Sequence, residues 1–177
     1  MRVGIISDTH GSLTAWQKAL EVWGSVDYII HAGDINYQGP KNPLPEGYDP
    51  MGLAQAINAS PAAVLIARGN CDSDVEELVL EVPMANPYLF CQLGEWRILA
   101  HHGHIYPPDR LRELGERFQA DIIITGHTHK PSLEAEGDGF FVNPGSAAYS
   151  GTIAIFDEKK ASLIDMSTGM VLKTVSL

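Results

Sequence analysis

Cysteine is nearly absent from this chain, with only Cys71 and Cys91 among 177 residues. They have no paired spacing and offer no disulfide framework. Positive charge is also scarce. Twelve Lys and Arg stand against 22 Asp and Glu, a formal net charge of −10, which excludes a basic surface holding a long DNA or RNA backbone by counterion release. A basic strip with interleaved aromatics is missing too. No apolar run reaches the length that spans a bilayer, and neither a secretory leader nor a lipidation signal is apparent. The expectation is therefore no membrane, no long nucleic acid, and a reducing cytoplasmic compartment. There is no internal repeat and no low-complexity segment.

What is present suits one globular domain over 1–177: 45% hydrophobic and 19% charged residues are ordinary for a soluble core of this length. Arg2 to Ser7 reads as a buried strand. Ser12 then caps a helix with Trp16, Ala19, Leu20 and Trp23 at helical spacing, stopped by Gly24. Tyr28 to Ala32 is a second strand, Met51 to Ala59 a short helix and Ala62 to Ala67 a third strand. Between them, Asn36 to Pro50 is rich in Gly, Pro, Asn and Tyr and reads as an ordered loop. Leu89 to Leu93 and Trp96 to Ala100 flank Gly94-Glu95 as a hairpin. A helix starts near Pro108 with Leu111, Leu114 and Phe118 on one face. Asp121 to Thr125, Phe140 to Val142, Thr152 to Phe156, Ala161 to Asp165 and Val171 to Val175 complete the strands. The amino-terminal half alternates strand and helix, and the rest is mostly sheet.

Seven side chains able to bind a metal fall just after these apolar runs: Asp8, His10, Asp34, Asn70, His102, His127 and His129. A parallel sheet would collect them at one edge. Taken singly, a histidine beside a strand is ordinarily a packed core residue; here the order and the repeated strand-end placement carry the weight. One ion held by Asp8, His10 and His129, and a second held by Asn70, His102 and His127, can share the carboxylate of Asp34. Oxygen and nitrogen donors without thiolate suit manganese first, with iron or zinc also compatible. Two such ions roughly 3.5–4 Å apart hold a hydroxide between them for in-line attack on phosphorus. Gly33, Gly69, Gly103 and Gly126 would let backbone approach such a site closely or turn through positive φ.

Asp8-Thr9-His10, Gly33-Asp34, Gly69-Asn70, His102-Gly103 and Gly126-His127-Thr128-His129 together resemble the signature of the calcineurin-like metallophosphoesterase superfamily. Gly39-Pro40, Leu44 to Tyr48, Arg68 to Asp72, His102 to His104 and Asn143 to Ser146 are similar to its small bacterial phosphodiesterases of the YfcE type. The likeness runs nearly end to end. It implies an α/β (α+β) four-layer sandwich of two mixed β-sheets flanked by helices, the ligand set above, and manganese-dependent hydrolysis of small phosphodiesters. It further implies a homo-oligomer. Phosphomonoesterase activity on the same site is the nearest alternative, and an inert protein-binding scaffold of the same fold is another.

Many members of this superfamily carry histidine directly after the Asn, where this chain has Cys71 followed by Asp72. A thiol is a weak, uncharged donor, so activity is expected mainly on esters whose leaving oxygen is already a weak base. Asn70, Cys71, Asp72 and His104 are the expected catalytic set, His104 with a second reading as a residue that orients a ligand. His31 and His101 read as packing residues, Asn143 to Ser146 as a supporting turn, Tyr37 as a loop residue with an alternative as a metal-binding phenolate, and Arg68 as either a substrate contact or an ion-pair partner.

Overall fold

Consecutive residues of the first strand enter different cores, and this sets the architecture. The structure is a computed structural model describing residues 1–176, so the last position of the expected domain, Leu177, lies outside the described residues. In β1 (Arg2–Ile6) Ile5 packs into one apolar cluster and Ile6 into another. Ile29 and Ile30 divide in the same way in β2 (Tyr28–His31). Side chains alternate across a strand, and a strand covered on both faces reads as an unbroken apolar run.

The chain continues through β3 (Ala63–Ala67), β4 (Met84–Ala85), β5 (Leu89–Leu93), β6 (Trp96–Ala100), β7 (Ile122–Ile124), β8 (Ser132–Glu136), β9 (Gly139–Asn143), β10 (Thr152–Asp157), β11 (Lys160–Asp165) and β12 (Val171–Ser176). Seven strands form one sheet in the order β12-β11-β10-β1-β2-β3-β4, and five form the other in the order β5-β6-β7-β9-β8. Both are mixed. Strands β1 to β4 run parallel while β10 to β12 are antiparallel; β6, β7 and β9 run parallel between antiparallel β5 and β8.

Helices α1 (Leu13–Trp23) and α2 (Pro50–Asn58) cover the outer face of the larger sheet through Trp16, Trp23, Leu53 and Ile57. Helix α3 (Pro108–Phe118) covers the smaller one through Leu111. Ile5, Ile30, Ile98, Ile124, Phe140 and Phe156 fill the space between the sheets. The result is the expected four-layer sandwich. Burying one such branched or aromatic side chain contributes about 1.5–3 kcal/mol.

Local signals match the element ends. Ser12 Oγ accepts from Ala15 N at 3.1 Å, and Gly24 closes α1 at φ 64°. Asp49 caps α2, where Pro50 takes the first turn and needs no N–H partner there. Two expectations need correction. The ligand clusters do not lie along a single parallel sheet: Asp8, Asp34 and Asn70 follow β1, β2 and β3, whereas His102 and His127 follow β6 and β7 of the other sheet. Ser132–Glu136 is also a strand that periodicity overlooked, because its alternating Glu and Ser residues leave only Leu133 in the core.

Candidate metal centre

The loops after β1 and β2 continue the pairing of their strands. Asp8 N donates to Gly33 O at 2.9 Å, His10 N to Asp34 O at 3.0 Å and Gly11 N to Ile35 O at 2.6 Å. The other sheet joins the same edge, since His127 N donates to Asp8 Oδ2 at 3.1 Å and Ala147 N to Ser7 O at 3.0 Å.

Two triads of nitrogen and oxygen ligand atoms result, Asp8-His10-His129 and Asp34-His102-His127, each with its atoms within 4.8 Å of one another, and a third group with a thiol, His10-Asp34-Cys71, overlaps both. Asp8 Oδ1 lies 3.2 Å from His129 Nε2 and 3.6 Å from His10 Nε2. Asp34 faces both triads, with Oδ2 3.8 Å from His10 Nε2 and Oδ1 3.3 Å from His102 Nε2. Asn70 lines the same opening, a cavity of about 420 Å³ that also includes Cys71, Thr128 and His129. Its amide nitrogen is turned 3.3 Å from Cys71 Sγ.

Backbone carbonyls fix which imidazole nitrogen is presented. His10 Nδ1–H donates to Tyr37 O at 2.8 Å, and His102 Nδ1–H to Ala32 O at 2.7 Å. A carbonyl only accepts, so Nδ1 carries a proton in both rings, and Nε2 is the atom whose lone pair faces the cluster once its own proton is lost to a cation. Ser7 Oγ donates to Asp8 Oδ2 at 2.5 Å, leaving Oδ1 as the inward atom.

The cluster has the character of a cation site. Asp8 Oδ1 and His102 Nε2 are buried with no hydrogen-bond partner among the described residues, a costly state for a polar atom unless a ligand completes it. Burial by itself would raise the Asp8 pKa, but His10, His129 and His102 outweigh it and hold the carboxyl below the usual range. Burial likewise works against a charged His102, yet Asp34 and Asp8 push it up to about 9. The same field attracts a metal cation. These nitrogen and oxygen donors fit manganese, iron or zinc.

Strain marks the same residues. Asp8, His10, Asp34, His127 and His129 all have left-handed backbone, with φ of 55°, 46°, 58°, 68° and 58°. Such conformations cost of order 1–3 kcal/mol each for non-glycine residues and gather at functional sites. Of the four glycines expected to let backbone in, Gly33 sits at φ 97° with Gly69 N 2.6 Å from where its Cβ would be. A Cβ on Gly69 would collide with the Asp34 carboxylate and amide.

The expected catalytic residues separate. Cys71 borders the cluster, within ligand range of His10 and Asp34. Burial, reinforced by Asp34, pushes its thiol up to about 12, so it stands as a neutral thiol. His104 lies 5.4 Å from the His102 ring and stacks on His101 at 5.7 Å; its Nδ1 lacks a partner among the described residues. Asp72 differs from expectation. It is 5% exposed, and its carboxylate accepts from Asp34 N at 2.9 Å, Ile35 N at 2.7 Å and Gly69 N at 2.7 Å. Those bonds tie the β2 and β3 loops together, which makes Asp72 a positioning residue.

The remaining candidates are structural. His31 Nε2–H donates to Thr9 Oγ1 at 2.9 Å, and its Nδ1 accepts from Gly33 N at 3.1 Å; burial lowers it to about 3. His101 Nδ1 accepts from Gly103 N at 2.8 Å. Arg68 pairs with Asp74 at 2.7 Å. Asn143 Nδ2 donates to Gly126 O at 2.8 Å and supports the His127 loop. Sequence reading missed Tyr149, whose ring stacks on His129 at 5.4 Å. Ser146, in the turn expected to support the metal loops, does so directly, its Oγ donating to Asp8 O at 2.8 Å. For Tyr149, only the neighbouring Asn143 to Ser146 turn signal pointed close by.

Comparison with known proteins adds lineage. Residues 1–161 match the model of the calcineurin-like phosphoesterase superfamily domain. The chain is 37% identical over 150 residues to phosphodiesterase YfcE of Escherichia coli, covering 84% of this chain and 80% of that protein. The solved structure of the E. coli phosphoesterase Yfce superposes with a TM-score of 0.86 at 30% identity over 99% of both chains. Vacuolar Protein Sorting 29 from Cryptosporidium parvum shares the fold, with a TM-score of 0.68 at 22% identity, covering 99% of this chain and 98% of that one. The chain therefore belongs to the calcineurin-like phosphoesterase superfamily.

Proposed function

We propose that this protein is a metal-dependent phosphodiesterase that hydrolyses small phosphodiesters on a dinuclear centre. The observation that carries the reading is the pair of adjoining triads, Asp8-His10-His129 and Asp34-His102-His127, with Asp34 facing both. The likeness to phosphodiesterase YfcE supports the diester chemistry. Asp8, His10 and His129 would hold one cation, Asn70, His102 and His127 the other, and Asp34 both. When bound, two divalent cations activate water for in-line attack and offset charge on the entering and departing oxygens. Manganese is the first choice for this donor set, with iron and zinc as alternatives.

The chain's own groups define the rest. Asn70 lines the opening and His104 lies beside the His102 and His127 rings; each can donate a hydrogen bond to a phosphoryl oxygen. Asp72 holds the amides of Asp34, Ile35 and Gly69 and so keeps Asp34 between the triads. Cys71 has no positively charged donor form, unlike an imidazole at that position, and protonates a departing alkoxide poorly. Substrates with weakly basic leaving groups are therefore favoured. The intact ligand set speaks against an inert scaffold, although a scaffold shares this fold.

The test is metal analysis together with turnover of bis-p-nitrophenyl phosphate and of the monoester p-nitrophenyl phosphate. Two equivalents of metal and manganese-stimulated cleavage favouring the diester are expected. A folded protein that retains no transition metal and cleaves neither ester overturns the reading, and preference for the monoester replaces it with a phosphatase.

A further inference from the structure

A second cleft, of about 430 Å³, opens beside the candidate centre. Tyr37, Tyr48, Pro50, Val75 and Val79 form its apolar walls. Cys71 lines both this cleft and the cavity of Asp34, Asn70, His127 and His129, so the two openings adjoin at that residue. Tyr37, Tyr48 and Val75 are 44%, 37% and 64% exposed. A single exposed apolar residue needs no explanation, but a contiguous concave set next to a reactive centre does.

The walls suit a flat ring. Two tyrosines supply aromatic surface, and Tyr48 is steadied by its hydroxyl, which donates to Gln38 Oε1 at 3.1 Å. Asn36 and Glu76 also border the cleft but are only 7% and 6% exposed, so its accessible lining is largely the apolar set.

Resting on the phosphodiesterase reading, we infer that this cleft receives the retained organic substituent of the diester, a planar aromatic group such as a nucleobase, through the Tyr37 and Tyr48 rings and the apolar wall of Pro50, Val75 and Val79. A phosphodiester bears two such groups. With phosphorus at the triads, one of them passes Cys71 into the cleft. A short alkyl substituent leaves the apolar walls in water and gains nothing from them.

Thymidine p-nitrophenyl phosphate and methyl p-nitrophenyl phosphate test this, because they share a leaving group and differ in the group retained. With manganese-supplied protein, kcat/KM should favour the thymidine ester by about tenfold, which is ~1.4 kcal/mol, chiefly through KM. Val75→Asp and Tyr37→Ala should each bring the ratio close to one. Leu78→Ser, on the same short 3-10 turn but 82% exposed and outside the cleft, should keep it. A wild-type ratio near one, or a ratio indifferent to both lining substitutions, overturns the inference while leaving the phosphodiesterase reading intact. Should neither ester be cleaved, it is the activity reading that fails. The cleft is then judged by titrating thymidine monophosphate and following the amide signals of Val75 and Val79: saturable shifts support it and unmoved signals overturn it.

Discussion

His102 Nε2 stands 3.3 Å from Asp34 Oδ1, although His102 follows a strand of the five-stranded sheet and Asp34 a strand of the seven-stranded sheet. The other nitrogen of the same ring donates to Ala32 O, again across the sheets. Sheet packing and ligand geometry are thus one problem. Ile30, Ile98 and Ile124 fill the interface below, and their volume sets how far apart the two ligand-bearing edges lie.

If cations complete this cluster, they bind the folded state only. At a free manganese concentration of 100 times Kd, the gain is about 2.7 kcal/mol, or roughly 5–11 °C in Tm for a chain of this size. Calorimetry with manganese and with a chelator should show that difference. Asp34→Asn should lose most of it, and an unshifted wild-type Tm would count against a metal centre.

Asp72 offers a second check. Replacing it with alanine removes the acceptor for three backbone amides, two of them on the Asp34 loop. Loss of a buried carboxylate with several donors should cost about 3 kcal/mol, read as a lower urea midpoint. The manganese-dependent gain in Tm should shrink as well, because Asp34 loses its anchor. A variant as stable as the wild type would return Asp72 to a role in the open cavity.

Cys71→His tests the origin of substrate choice. The backbone N of residue 71 donates to Asp34 Oδ1 at 2.8 Å, a bond that the substitution keeps. Histidine adds a stronger proton donor beside the opening, so cleavage of alkyl diesters relative to nitrophenyl diesters should rise at least about tenfold. An unchanged ratio in a folded, manganese-loaded variant removes the argument.

Glu76 should make stability depend on pH. Burial first, and then the charge of Asp72, push its carboxyl up to about 8 from an ordinary 4.5; Asp34 adds to this and Arg68 opposes it. The folded state therefore binds more protons than the unfolded chain between those two values, and stability falls as pH rises through that window. Glu76→Gln should flatten the slope of Tm against pH in metal-free protein. An identical slope in the variant would show that another group is responsible.

Most element positions were legible because burial on both faces leaves long apolar runs, as in Ile122–Ile124, and because caps such as Ser12 and Gly24 have direct chemical signals. Strand β8 was not legible, since an edge strand with Glu134 and Glu136 outward carries too weak a pattern. The inward turn of the Asp72 carboxylate was not legible, for a different reason. Nothing in Asn70-Cys71-Asp72 tells which carboxylate turns inward, because that depends on amides of Asp34 and Ile35 far away in sequence.

By itself the sequence determined most of the strands, the helices and the placing of acid, amide and imidazole groups just beyond strand ends, because local periodicity and turn chemistry act over a few residues. Only the tertiary structure decided that these ends belong to two sheets and that Asp34 faces both triads. It also decided that five of the ligand-type residues take left-handed backbone. Those choices need contacts between distant segments, whose combined burial and hydrogen bonding must outweigh the strain and the desolvation of charge.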